Sequence, residues 1–522
     1  MRGDSRRRGV RTRLRAAGPR SWRVACTAAV IAAATVCVLA GATSALGVGT
    51  ASSPSSRTTL TTGFASDPLL DNPGLEGASA ATQNHWLQTA VSEGARVVRV
   101  NVEWSQIAPA APPPGFVASN PSSPGYRWAG LDRTIRALTA HGLTPLLMVY
   151  SAPRWAEGPA MPARTYGGTW EPNAAKFGAF ATAAATRYSG SLPDPLHAGG
   201  YLPRVRLWQA WNEPDVTYYL APQWTAHGQP NSPNLYRALL NSFYFAVKAV
   251  DPTNFVISGG TAPFGDSYAA YWPGGARMSP LFFYRALFCV TKTLRPTPCQ
   301  GPVYLDAVDH HPYSLYPAQA QVHARRPDDV TVPDVWKITR LLNAGVRTGH
   351  VLPDTHKQVW VGELSWDTRP PSSGSYAVSP SLQACNVELS DFLLWRQGVS
   401  TVMFLQLRDW PLTMPHTATL IWGGMYYSSG AAKPAATAFR FPLVAQRLSA
   451  HTVLVWSRSP ATGMLVIRRR LSNGGSSVLL SRRVLAGQVL LATVRFAGPV
   501  NIAASVAGQS SLRWTGAKAE CR

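Results

Sequence analysis

Residues 204–214 read RVRLWQAWNEP, a run of β-branched and aromatic residues that ends in Asn-Glu-Pro. Residues of this kind favour strands, and a charged residue rarely ends a strongly apolar strand unless it is used there. Residues 358–365, QVWVGELS, repeat the pattern with a glutamate at position 363. The two segments therefore predict two buried strands whose carboxyl ends present Glu213 and Glu363.

Six further runs of the same kind alternate with helical patterns. The eight predicted strands cover residues 60–65, 96–104, 143–150, 204–211, 254–258, 305–310, 358–363 and 401–406. A typical helix lies at 131–141, where Leu131, Ile135 and Leu138 share a face, and residues 433–444 are the predicted last helix. Strands that alternate with helices are typical of parallel sheets, and eight such units predict an α/β fold, a closed (β/α)8 TIM barrel.

Composition divides the 522-residue chain into four segments. Residues 1–50 begin with arginines and continue into an uncharged apolar stretch, which predicts a signal peptide, with an N-terminal membrane anchor as the alternative. Residues 51–59 form a Ser/Thr/Pro-bearing linker, and residues 60–446 form the barrel. Residues 447–522 show short apolar runs and an Asn-Gly-Gly turn signal, which predict a small, basic antiparallel β domain.

The net charge of +23 is concentrated at the two ends of the chain. Residues 1–23 contain nine arginines, and residues 447–522 contain eleven basic residues against the single acid Glu520. The segment between them is nearly neutral, and we expect no nucleic-acid partner. An anionic cell-wall polymer or a phospholipid is the partner left open for the basic C-terminal segment.

Four cysteines lie outside the N-terminal segment, at positions 289, 299, 385 and 521. They allow three pairings, of which Cys289–Cys299, closing a loop, is the prediction. The sequence has no Cys-x-x-Cys pair and no histidine cluster with ligand spacing, so we expect no structural zinc and no cofactor.

The sequence resembles the clan of retaining (β/α)8 glycoside hydrolases that includes the cellulase-like family 5 and the xylosidase-like family 39. The resemblance covers about residues 60–446. It is carried by Asn-Glu-Pro at 212–214 after the fourth strand, by Glu363 at the end of the seventh, and by RVNVEWS at 99–105 on the second. It implies that Glu213 is the acid/base and Glu363 the nucleophile of a double displacement, which needs two carboxyl groups about 5 Å apart.

The resemblance also implies roles for neighbouring residues. Asn212 would donate to the sugar 2-hydroxyl, and Arg99 would keep the nucleophile ionised. A His/Tyr pair beside the nucleophile falls in residues 310–313 (HHPY), where His311 and Tyr313 are the candidates and the register is left open. Tryptophans that follow strands or lie in long loops are candidate sugar platforms, with core packing as the alternative: Trp155, Trp170, Trp366 and Trp410.

Two departures from the family pattern leave the substrate open. Residues 150–155 (YSAPRW) replace a His-bearing motif after the third strand, and Gly362 stands where a threonine usually precedes the nucleophile. We expect a monomeric enzyme, secreted or anchored to the outer face of the membrane, that cleaves a β-linked cell-wall or extracellular polysaccharide internally. The alternatives are an exo-acting xylosidase- or iduronidase-like glycosidase and a catalytically silent, carbohydrate-binding barrel.

Overall fold

Eight parallel strands close into a barrel in the computed structural model, which describes residues 58–71, 78–266, 275–315, 317–411 and 422–521. The predicted signal peptide or anchor and most of the linker lie outside the described residues. The strands are β1 (Thr61–Ala65), β2 (Val97–Glu103), β3 (Thr144–Tyr150), β4 (Leu207–Ala210), β5 (Phe255–Ser258), β6 (Ala307–His310), β7 (Gln358–Val361) and β8 (Thr401–Phe404). Each pairs with its neighbours in this order and β8 pairs with β1, which confirms the predicted (β/α)8 barrel.

Helices connect the strands. They are α1 (Pro68–Asp71), α2 (Ala80–Ser92), α3 (Trp104–Ile107), α4 (Ala129–Ala140), α5 (Ala174–Arg187), α6 (Ser232–Val250), α7 (Pro280–Phe288), α8 (Trp336–Arg347), α9 (Pro380–Arg396) and α10 (Pro434–Arg440). The side chains of Ser79, Asn173 and Ser379 accept hydrogen bonds from the first turns of α2, α5 and α9, which explains where these helices begin. None of the helices in the described ranges is long and apolar enough to cross a membrane.

The barrel interior is apolar at one level and polar at the next. Its apolar level is a buried cluster of Ala65, Val97, Leu146, Ile257, Ala307, Trp360 and Met403. Inward-facing side chains alternate along a strand, so Arg99 lies one layer beyond Val97, and Asp309 one layer beyond Ala307. Arg99, Asp309 and Gln209 of β4 are all buried. This polar layer lies on the carboxyl-terminal side of the apolar cluster, directly beneath the strand ends.

The chain beyond the barrel forms two antiparallel sheets, which confirms the predicted C-terminal β domain. Its strands are β9 (Leu443–Arg447), β10 (Thr452–Arg458), β11 (Gly463–Arg470), β12 (Ser476–Val484), β13 (Val489–Arg495), β14 (Asn501–Val506), β15 (Gln509–Ser510) and β16 (Trp514–Thr515). β9, β10 and β13 form one sheet, and the remaining strands form the other. The helix predicted over 433–444 is too long: α10 ends at Arg440 and β9 starts at Leu443, because Pro442 disfavours helix in the residue before it.

The C-terminal domain shares a core with the barrel. Trp456 of β10 is buried, and its ring lies 5.8 Å from that of Phe392 and 6.1 Å from that of Trp395, both on α9. A disulfide between Cys385 of α9 and Cys521 ties the end of the chain to the same helix. The predicted Cys289–Cys299 disulfide is also present and closes a short loop after α7.

Candidate active site

The two candidate glutamates lie on the turns that follow β4 and β7. After β4 the backbone is left-handed at two positions, with φ of 74° at Trp211 and 31° at Glu213. Such values are unfavourable for bulky residues and need support from the surroundings. The Trp211 indole is buried and its Nε1 donates to the carbonyl oxygen of Tyr219 at 2.9 Å, which holds the turn in place.

Glu213 and Glu363 approach each other beside His311. The Nδ1 atom of His311 lies 2.9 Å from Glu213 Oε1 and 3.8 Å from Glu363 Oε2. One oxygen of each carboxylate and one ring nitrogen of His311 all lie within 4.8 Å of one another. Retaining glycosidases place their carboxyl groups about 5 Å apart, whereas inverting ones leave roughly 6.5–9.5 Å for a water molecule. The observed separation fits retention.

Arg99 ties Glu363 to the barrel interior. The guanidinium is fully buried, and Nη1 donates to Glu363 Oε1 at 2.7 Å. Its other two contacts are Nε to Gln209 Oε1 and Nη2 to Asn212 Oδ1, each at 2.6 Å. A buried cation must be paired and hydrogen-bonded, and these three acceptors fix the position of Arg99. Since the Asn212 oxygen accepts from Arg99, its NH2 group remains the donor that this residue can offer to a ligand.

Glu363 is held in its ionised form. Burial alone would raise its pKa, but the positive charges of His311 and Arg99, with a hydrogen bond from Tyr313, outweigh burial and lower the pKa. Tyr313 Oη donates to Glu363 Oε2 at 3.0 Å. Burial, together with the charges of Glu363 and Glu213, raises the pKa of Tyr313 well above its ordinary value, so the phenol stays protonated as a donor.

His311 carries a proton in this site. Burial disfavours the imidazolium, but the carboxylates of Glu363, Asp309 and Glu213 outweigh burial and raise the His311 pKa to about 10. The Nε2 atom lies 3.3 Å from Asp309 Oδ2, a charge contact without hydrogen-bond geometry. Asp309 also accepts from Gln209 Nε2 at 2.6 Å. Asp309 and His311 therefore form one buried chain, which leads from the polar layer to the partly exposed Glu213 at the barrel mouth.

The neighbouring His310 has a structural role. Its Nδ1 lies 2.8 Å from Thr261 Oγ1 and its Nε2 lies 3.1 Å from the carbonyl oxygen of Val330. Burial lowers its pKa to about 3, so the ring is neutral and packs within the fold. The register that the sequence left open is thereby resolved, with His311 and Tyr313 in the site.

Two glycines make room for the buried chain. A Cβ added at Gly362 would lie 2.1 Å from Asp309 Oδ2, and one added at Gly260 would lie 2.1 Å from His311 Nε2. Both separations are far below the 3.4 Å at which ordinary contact begins. The glycine at position 362 has this physical reason: the Asp309 carboxylate occupies the space that a side chain there would need.

Sequence reasoning missed three residues of the site: Gln209, Asp309 and Tyr219. Gln209 and Asp309 are polar residues inside apolar strands, a signal that could have identified them. Tyr219 lies in the loop after β4. Burial raises its pKa well above the ordinary value, and the charges of Glu213 and Glu363 add to that effect.

The candidate tryptophan platforms differ in their surroundings. Trp366 is only 1% exposed and belongs to the core, so a platform role for it is wrong. Trp155 is partly buried, with its ring 5.8 Å from that of the buried Trp104. Trp410, just after β8, is also partly buried and donates through Nε1 to Gln406 Oε1 at 2.7 Å. Sugar stacking on Trp155 or Trp410 stays a prediction.

Glu213, His311 and Glu363 are also close enough together to hold a metal ion. Two charges oppose this reading. The Arg99 guanidinium already contacts Glu363 at 2.7 Å, and the raised pKa of His311 keeps a proton on the nitrogens that would bind a metal. The arrangement therefore favours proton transfer and nucleophilic chemistry.

No family model matches the sequence, and no curated protein matches it. Solved structures similar in fold include a glucosidase from Croceicoccus marinus, with 13% identity and a TM-score of 0.47, covering 86% of this chain and 95% of that one. A family 39 glycoside hydrolase from the gut symbiont Bacteroides cellulosilyticus WH2 shows 15% identity and a TM-score of 0.47, with 84% and 81% covered. An enzyme of the same family from Xanthomonas axonopodis pv. citri shows 17% identity and a TM-score of 0.45, with 86% and 93% covered. At these identities the similarity describes the fold alone.

Proposed function

We propose that this protein is a retaining glycoside hydrolase that cleaves β-linked O-glycosidic bonds by double displacement. The observation that carries the proposal is the pair Glu213 and Glu363, whose carboxylate oxygens lie within 4.8 Å of each other at the carboxyl ends of β4 and β7. The Glu363 carboxylate is held ionised, as a nucleophile must be, and Glu213 takes the part of the acid/base. No organic cofactor or metal is needed for this reaction, because the two carboxyl groups supply both the nucleophile and the proton.

In the first step a Glu363 oxygen attacks the anomeric carbon while Glu213 gives its proton to the departing glycosidic oxygen. The products are a glycosyl ester on Glu363 and the released alcohol. In the second step Glu213 takes a proton from water, and the resulting hydroxide displaces the ester at the same carbon. Glu363 leaves as a carboxylate and Glu213 is protonated again, so two inversions give net retention.

His311 suits the deprotonated form of Glu213, which the first step produces. When Glu213 has lost its proton, the imidazolium 2.9 Å away stabilises the new carboxylate. When the ester forms, Glu363 loses its charge, and the positive charge of His311 then acts mainly on Glu213. Arg99 and Tyr313 hold the two oxygens of Glu363 separately, which orients the nucleophile before it attacks.

An extended glycan chain is the substrate that the aromatic surroundings favour. The rings of Tyr150 and Tyr219 lie 6.1 Å apart, those of Tyr219 and Tyr218 lie 5.0 Å apart, and those of Tyr218 and Tyr166 lie 4.3 Å apart. The rings form a continuous row, in which Tyr218 is 52% exposed. Aromatic rings at and beyond the ends of β3 and β4 suit contact with several sugar units, and we therefore propose internal cleavage of a polysaccharide. Release of single sugars from chain ends would instead identify an exo-acting enzyme.

Export of the enzyme is part of the proposal. It is supported by the arginine-rich and then apolar order of residues 1–50 and by the two disulfides, which persist in oxidising compartments.

The proposal is tested with the chain from residue 51 onward on a panel of β-glycans and aryl β-glycosides. Glu363→Gln should remove hydrolysis of every substrate by several orders of magnitude. Glu213→Gln should do the same for glycans but less for aryl glycosides with an acidic phenol, because such a leaving group needs little protonation. Proton NMR of the first product formed should show the β anomer. Activity that neither substitution changes, or an α anomer as first product, would refute the site assignment.

A further inference from the structure

The C-terminal domain carries a concave basic site that the catalytic proposal does not use. A groove of about 420 Å³ lies on the larger sheet, formed by β11, the turn that follows it, β14, β15 and the residues before β16. Arg468, Arg470 and Arg513 line it, and all three are exposed. Ala503 and Ser505 of β14 are also part of the lining. These five residues define the arginine groove.

The geometry of β11 separates the groove arginines from their neighbour. Side chains alternate along a strand, so Arg468 and Arg470 point to one face, about 7 Å apart along the strand, and Arg469 points to the other. Arg469 also contributes to the groove lining, but its guanidinium lies 4.5 Å from the centre of the Phe496 ring. The small side chains of Ala503 and Ser505 leave the space between the groove arginines open.

Two of the groove arginines have neutral partners. Arg468 Nη1 donates to Ser505 Oγ at 3.1 Å, and Arg513 Nη1 donates to Asn501 Oδ1 at 2.9 Å. Within the described part of the chain no carboxylate pairs with Arg468, Arg470 or Arg513, and the sequence has a single acid after position 447, Glu520, which lies 3.7 Å from Lys518. Three like charges in one concavity without a counter-charge attract an external anion.

We propose that the arginine groove binds a linear polyanionic cell-wall polymer, through carboxylate or phosphate groups repeated along the chain. Charges spaced along a strand suit a ligand with repeated charges better than one small anion, and arginine pairs with carboxylates and phosphates in a bidentate manner. A concave site accepts a chain, whereas a lipid surface needs a flat or convex face. The groove lining contains no aromatic residue on which nucleic-acid bases would stack. Binding there does not depend on hydrolysis in the barrel.

The test measures binding of the chain carrying Glu363→Gln, so that no substrate is cleaved. The probes are polygalacturonate, the same polymer with its carboxylates methyl-esterified, poly(glycerol phosphate), and vesicles of anionic phospholipid. The groove variant combines Arg468→Gln, Arg470→Gln and Arg513→Gln. A matched control combines Arg482→Gln, Arg483→Gln and Arg495→Gln, which removes the same charge from exposed positions of the same domain outside the groove.

Polygalacturonate or poly(glycerol phosphate) should bind, more weakly at higher salt, and the groove variant should lose at least tenfold in affinity. The control should stay within about twofold, and the esterified polymer should not bind. Which of the two polymers binds identifies the carboxylate or the phosphate as the ligand group. Equal losses in the groove and control variants would overturn the proposal, as would binding to vesicles but to neither polymer. The six arginines are exposed, so unchanged thermal unfolding of both variants is expected and is measured alongside.

Discussion

Replacing Gly362 by alanine tests the buried chain beneath the catalytic carboxylates. The new Cβ would lie 2.1 Å from Asp309 Oδ2, so the carboxylate must withdraw by about 1.3 Å to reach the 3.4 Å of ordinary contact. A movement of that size is enough to break the 2.6 Å hydrogen bond from Gln209 and to weaken the 3.3 Å charge contact with His311. Overpacking of this kind costs about 1–3 kcal/mol of unfolding free energy, and a misplacement of about 1 Å near the reacting groups lowers the rate about 100-fold.

The assay compares kcat/KM on an aryl β-glycoside and the unfolding free energy of the two proteins. A second readout is independent of activity: the ¹⁵N signals of the His311 imidazole should titrate below the parent value of about 10, because Asp309 has moved away. Gly167→Ala is the matched control, since nothing lies within 4 Å of a Cβ at that position. If Gly362→Ala kept its activity within threefold and the His311 titration did not shift, the account of Asp309 as the support of His311 would be refuted.

Three other changes have defined outcomes. Arg99→Lys keeps the charge, but a lysine cannot donate to the three acceptors in the positions that Arg99 reaches. Transition-state stabilisation, obtained from kcat/KM in steady-state kinetics, should therefore fall by about 3 kcal/mol. A loss of kcat/KM below fivefold would contradict this. Protonation of His311, whose pKa rises from 6.5 to about 10 on folding, stabilises the fold fully below pH 6.5 and ceases to do so as the pH rises to about 10. Urea unfolding across this range should show that decline in the parent and a smaller one in His311→Gln. Replacing both Cys385 and Cys521 by serine should lower the unfolding free energy by about 2–5 kcal/mol, because this disulfide closes a long loop; an unchanged urea midpoint would argue against it.

The barrel could be predicted because its signals are local. Each strand is a short apolar run with strong β preference, and residues 204–214 and 358–365 also show where two strands end. The boundary near residue 440 could be predicted less accurately, because residues 441–447 are compatible with either a helix or a strand. There Pro442 and the pairing of β9 with β10 determine that the helix ends and a strand begins. This pairing depends on a strand later in the chain.

The candidate site could be predicted only in part for a similar reason. Glu213, Glu363 and Arg99 were found because a motif or a strand position marks them. The support of the site comes from contacts between distant strands: Gln209 bonds to Asp309, 100 residues further on. Nothing in the local sequence around Asp309 indicates that its carboxylate fills the space beside Gly362. Such complementarity exists only once the barrel has closed.

The shared core of the barrel and the C-terminal domain limits how the chain can be divided or recombined, in evolution and in protein engineering. Trp456 fits against α9, and the Cys385–Cys521 disulfide fastens the last residues to the same helix. Domain boundaries usually fall in exposed, flexible linkers, but here only Phe441 and Pro442 separate α10 from β9. Separating the two domains at that point would expose the surface of α9 that Trp456 covers. The barrel and the C-terminal domain should therefore unfold in one thermal transition, and neither should function when transferred alone to another protein.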